Sequence, residues 1–165
     1  MSLVSATIDQ YLFWDDVDSP EKAKLDLRSA RIHTLYDEKD SWPEPGKLLL
    51  HGLVYDEIHE KAPRDSKSCI AWIRLQYNEQ AEKDKKQFRP QPYEQLAAVL
   101  HKSGRDADAK KILFAKNKDK ARLTKLTWSE WLWYRLFGPI ISYGYRPWRS
   151  LWIGLVLVLL GWLFF

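Results

Sequence analysis

Asp56, Glu57, His59 and Glu60 crowd four potential metal ligands into one short stretch. Carboxylate oxygens and an imidazole suit a divalent cation. Nothing around them fixes a coordination geometry, so a solvated loop is the favoured reading. Asp15, Asp16 and Asp18 bring three carboxylates together. A calcium loop also wants a turn glycine and a distal glutamate, and neither follows at that spacing. His33, His51, His59 and His101 lack the spacing of zinc ligands. Cys69 is the only cysteine, which excludes an intramolecular disulfide framework. It sits on an apolar face at helical spacing with no base in view, so a buried structural thiol is expected. The seven glycines are scattered, with no G-x-G-x-x-G string for a dinucleotide. The sequence therefore assigns no catalytic residue, no metal ligand and no cofactor. It leans away from an enzyme.

The residues that say most are apolar. The run from Ser150 to Phe165 carries no charge, and YGYRPWRS leads into it with its arginines and aromatics. Cationic and aromatic anchors followed by hydrocarbon is how a segment enters a bilayer. The run is short of the roughly 20 residues a spanning helix needs. Either Arg149 snorkels, or the chain is part of something longer. Ahead of it, Leu126, Trp128, Trp131, Leu132, Trp133, Leu136 and Phe137 predict an aromatic interfacial helix stopped at Gly138-Pro139. The expected membrane-interface residues are Trp128, Trp131, Trp133, Arg135 and Tyr143, then Tyr145, Arg146, Trp148, Arg149 and Trp152.

Charge placement agrees. Residues 1–100 hold 14 basic and 18 acidic residues, a net −4, and residues 101–149 hold 12 and 4, a net +8. A basic surplus beside a membrane segment marks the cytoplasmic side and suits anionic headgroups. Lys110, Lys111, Lys116, Lys118, Lys120 and Arg122 could instead follow phosphates of a nucleic acid. Helical spacing spreads them over several faces, so lipid rather than nucleic acid is the expected partner. The N-terminus lacks a basic stretch followed by an apolar core, so no signal peptide is expected.

The elements that must carry these residues read as follows. Leu25, Leu27, Ala30 and Ile32 recur as Leu48, Leu50, Leu53 and Tyr55, all at one constant offset. Ala6, Ile8, Tyr11 and Phe13 show the layout once more, a block earlier and at a shorter offset. Paired apolar residues with a two-residue step suit stacked short strands that turn corners. Asp65 and Ser66 are helix-start signals, and Cys69, Trp72, Ile73 and Tyr77 follow at helical spacing. In PYEQLAAVLHKSGRDADAKKIL, Pro92 suits a helix start, Ser103-Gly104 a break and Asp106 an N-cap. That is an αα-hairpin. Tyr93, Leu96, Ala97, Leu100, Gly104, Ala109 and Leu113 make it resemble a single tetratricopeptide repeat, departing where Lys116 replaces a small residue.

The expected fold class is α+β. Residues 1–58 form a short β-solenoid-like part, 59–90 a helix and connector, and 91–124 the tetratricopeptide-like hairpin. Residues 125–147 form the interfacial aromatic helix and loop, and 148–165 a C-terminal transmembrane helix, short enough to be a truncated one.

LDLRSARI, SWPEPGKLLLHGLVYDEI, QPYEQLAAVLHKSGRDADAKKIL and SYGYRPWRSLW, in this order, span nearly the whole chain. Together they resemble the C-terminal part of a bacterial family of membrane-anchored, pentapeptide-like repeat proteins, some loosely labelled membrane-associated oxidoreductases. The resemblance implies a bacterial inner-membrane location with the soluble part in the cytoplasm. It also implies more β-solenoid upstream and more transmembrane segments downstream in relatives. The expected function is a membrane-anchored scaffold or interaction module, with an anionic bilayer as partner and a protein partner on the hairpin or solenoid face. The alternative is a membrane-associated oxidoreductase whose catalytic part lies outside this chain.

Overall fold

The computed structural model describes residues 1–84, 88–124, 127–129 and 132. The chain divides into two units, 1–124 and 125–165. In the first, β1 (Thr7–Trp14), β3 (Arg31–Asp37) and β5 (Val54–Ile58) form a three-stranded parallel sheet in the order β1-β3-β5. β2 (Leu25–Asp26) and β4 (Leu48–Leu49) form a second, two-stranded parallel sheet. Parallel neighbours need a crossover. Here each crossover drops one short strand into the smaller sheet. Leu25 pairs with Leu48 and Arg31 with Val54, so both sheets keep the same offset along the chain. Like residues therefore stack on like, and Leu25, Leu27, Ala30, Leu48, Leu50 and Leu53 are buried.

β1 departs from this register. Ile8 pairs with Ile32 but Tyr11 with Thr34, because a bulge between them shifts the pairing by one position. Leu12 and Trp14 point inward, while Tyr11 and Phe13 stand outside. The alignment that grouped Tyr11 and Phe13 with Ala30 and Ile32 is thus corrected.

Four helices follow: α1 (Ser66–Arg74), α2 (Glu79–Asp84), α3 (Gln91–Lys102) and α4 (Asp106–Leu123). The Asp65 carboxylate caps α1, accepting from the backbone N–H groups of Lys67 and Ser68 at 3.0 Å each. Gly104, at φ 73°, ends α3 in a conformation that favours glycine. Arg105 is the N-cap of α4, and Asp106 lies inside the helix rather than capping it. Tyr93 meets Asp119, Glu94 meets Lys116 and His101 meets Asp106, so α3 and α4 run antiparallel. Lys116 tolerates its position because its ammonium crosses to Glu94 at 3.0 Å.

The fold is therefore mixed α/β, with two small parallel sheets and four helices. It corrects the α+β expectation of a separate β-solenoid with helices appended to it. The apolar stripe does not form a self-contained stack. One hydrophobic cluster runs from Leu12 and Leu25 through Trp72 and Tyr93 to Ile112 and Leu123, so the sheets share their core with the helices. α3 is fastened to the edge strand β5 by two glutamines. The Gln91 side chain accepts from Gly52 N–H at 3.0 Å and donates to Leu53 C=O at 2.7 Å. The Gln95 amide donates to Tyr55 C=O at 2.7 Å. Edge strands left open invite pairing with other chains, and here side-chain amides occupy the edge. Among the described residues, no helix is long and apolar enough to cross a membrane. The stretch 148–165, on which that expectation fell, lies outside the described residues.

Candidate functional site

Three places in the first unit concentrate chemistry. The first is the outward side of the three-stranded sheet. Phe13 pairs with Tyr36 in register, and His59 N–H bonds Leu35 C=O just beyond β5. Phe13, Tyr36 and His59 thus form a cross-strand row, evenly spaced along the chain. Ring centroids lie 5.4 Å apart for Phe13–Tyr36 and 5.2 Å for Tyr36–His59. Tyr11 closes the cluster, 5.6 Å from Phe13 and 6.1 Å from His59. Tyr11 and Phe13 are each 52% exposed. A few residues back along the same strands lies a groove of about 240 Å³, lined by Thr7, Asp9, Arg31, His33, Asp56 and neighbouring aliphatics. His33 Nδ1 stands 3.2 Å from the Asp56 carboxylate.

The second place is internal. Asp37 ends β3 with its carboxyl buried, and Trp42 Nε1–H donates to it at 2.6 Å. Burial pushes the Asp37 carboxyl up to about 6, against the pull of that hydrogen bond. Tyr55, Cys69 and Trp72 line the same cavity of about 20 Å³. Burial raises the Tyr55 phenol and pushes the Cys69 thiol up to about 12, so neither ionises near neutral pH. The Cys69 Sγ–H points to Pro63 C=O at 3.5 Å. Trp72 Nε1 is buried without a hydrogen-bond partner among the described residues. A cavity this size holds about one water and no substrate.

The third is a structural clamp. Asp119, 1% exposed, accepts from Arg74 through Oδ2 at 2.8 Å and Oδ1 at 3.0 Å, and from Tyr93 Oη–H at 2.8 Å. It ties α1, α3 and α4 together. The hydrogen bond from Arg74 to Asp119 holds the guanidinium above its ordinary value.

The residues expected at a membrane interface are only partly described. Trp128 is 76% exposed. Trp131, Trp133, Arg135, Tyr143, Tyr145, Arg146, Trp148, Arg149 and Trp152 lie outside the described residues. The Asp56, Glu57, His59 and Glu60 cluster disperses: Asp56 faces His33, and His59 joins the aromatic row. Among the described residues, no group of three or more His, Cys, Asp or Glu side chains could hold a metal ion. Sequence reasoning missed the outward aromatic row and Asp37. The row had a signal, because Phe13, Tyr36 and His59 share the offset that separates Leu25 from Leu48.

No family model matches this chain, and neither a curated protein nor a solved structure matches it at a significant level.

Proposed function

We propose that this chain is an interaction module held at an anionic membrane surface, on the cytoplasmic side of a bacterial inner membrane. The observation that carries the proposal is the placement of charge. Twelve basic against four acidic residues occupy positions 101–149, directly before the uncharged run to Phe165. Within α4, Lys110, Lys111, Lys118 and Arg122 are exposed. At about 3.6 residues per turn they share about a third of the helix circumference. Phe114, 38% exposed, lies in the same arc. A basic helix face carrying an aromatic ring suits the headgroup region. Each basic residue near an anionic leaflet contributes roughly 1 kcal/mol, so four contribute about 4 kcal/mol. That is marginal on its own, and the uncharged run supplies the rest. The hairpin and the sheet face remain for a protein or ligand partner.

Co-sedimentation with vesicles tests the reading. The full chain should pellet with phosphatidylglycerol-containing vesicles more than with neutral ones. Lys110→Glu with Lys118→Glu should erase that preference. Recovery of the protein in the soluble fraction of cells, at low salt and without detergent, would refute it.

A further inference from the structure

We propose that the outward side of the three-stranded sheet binds a neutral saccharide, stacked on Tyr11 and Phe13, with Tyr36 and His59 as edge-on buttresses, and hydrogen-bonded in the polar groove beside them. The cluster is built by the sheet. Tyr11 and Phe13 lie 5.6 Å apart with their planes 30° from each other, and Tyr36, paired in register with Phe13, and His59 meet the Phe13 ring edge-on at 63° and 61°. Rings held by a parallel ladder are already ordered, so a ligand that stacks on them loses little side-chain freedom. Tyr11 and Phe13 leave half their surface in water, and Leu12 and Trp14, not they, serve the core.

Size and charge then select the ligand. A groove of about 240 Å³ falls below the roughly 300–1,000 Å³ of drug-sized sites. It takes one ring-sized unit rather than a dinucleotide. Surfaces that stack nucleic acid bases combine aromatic rings with a positive groove. Here Asp9 and Asp56 face a single guanidinium, Arg31, and His33 is turned to Asp56. Phosphates meet two carboxylates there, so nucleic acid and anionic lipid headgroups are disfavoured. An apolar peptide would cover these charged groups and offer them no hydrogen bonds in place of water, which costs several kcal/mol on transfer scales. A sugar ring fits both halves. Its C–H face lies on Tyr11 and Phe13, and its hydroxyls donate to carboxylates and accept from Arg31, His33 and Thr7. The face lies within residues 7–59, so its binding does not depend on lipid attachment.

The test uses the full chain in a detergent without a sugar headgroup. Calorimetric titration with maltohexaose, cellohexaose and chitohexaose should give saturable binding to at least one. Tyr11→Ala with Phe13→Ala should weaken that binding by at least about tenfold, or about 1.4 kcal/mol. The circular dichroism spectrum should not change, because both side chains lie outside the core. Tyr11→Phe, which keeps the ring, should retain binding. Absence of binding to all three up to about 10 mM, undiminished binding by the folded double alanine variant, or preferential binding of a poly-dT oligonucleotide would each overturn the proposal.

Discussion

Replacing Asp37 with Asn should remove a pH dependence that the fold has built into its core. Asp37 is 7% exposed, and its carboxyl receives one hydrogen bond from Trp42 and is pushed from 3.8 up to about 6 by burial. A group whose folded value is raised favours the folded state fully below its unfolded value. That contribution is lost as pH rises through the folded value. The gap between 3.8 and about 6 corresponds to about 3 kcal/mol, lost between roughly pH 4 and pH 6. Asp26 and Asp108 are held low by hydrogen bonds from, and the charge of, neighbouring cations, and Asp65 by its hydrogen bonds at the start of α1. Their stabilisation is present above their unfolded value and fades at lower pH, so the wild-type curve alone mixes opposite slopes. The difference between wild type and Asp37→Asn isolates one carboxyl. The Asn oxygen still accepts from Trp42, while its new N–H groups need partners, which costs about 1–3 kcal/mol where they find none. Urea unfolding of both proteins from pH 4 to pH 8 should give a stability difference that moves in favour of Asn by about 3 kcal/mol and is flat above pH 7. Parallel curves across that range would refute the assignment of a buried, neutral-leaning carboxyl.

Two further changes test the fold. Asp119→Ala leaves the Arg74 guanidinium and the Tyr93 hydroxyl without their acceptor. It should cost about 1–3 kcal/mol in urea unfolding, because the Tyr93 hydroxyl loses its buried acceptor while the partly exposed guanidinium can turn to water. Gly52 stands at φ 77°, and a Cβ there would come within 3.1 Å of Ser29 Oγ. Gly52→Ala should therefore cost about 1–3 kcal/mol. Ser29→Gly, at φ 58° on the facing corner, should be close to neutral in the same assay.

Much of the β part was legible because in-register parallel stacking writes itself into sequence as a fixed offset. Leu25 and Leu48 are far apart in the chain and adjacent in the sheet, and their neighbours repeat the same interval. Asp65 was legible because a cap is a local device. What an apolar stripe packs against is not local. Trp72, Tyr93 and Ile112 join the same cluster as Leu25, which turned the expected solenoid into a sheet-and-helix core. Tyr11 and Phe13 misled because the bulge in β1 moves them to the other face, and aromatic residues suit either side. Asp37 was invisible because nothing in the DEKDSW string announces that Trp42 will fold back onto it. Among the expected interface residues, Trp128 alone is described, and it is exposed.

The two glutamines of α3 have a metric consequence. Four residues of helix rise about 6.0 Å. Two residues of strand advance about 6.6 Å. Gln91 reaches Leu53 and Gln95 reaches Tyr55, so one helical turn and one pleat repeat are nearly commensurate. The pair works as a vernier between two lattices of different pitch. It holds the helix at one setting along the strand. A residue added to the connector ahead of α3 leaves the match intact, whereas one added between Gln91 and Gln95 puts the two scales out of phase. The window from Gln91 to Gln95 thus carries the hydrogen-bonded part of the alignment of α3 on the sheet, beside the apolar core the two share.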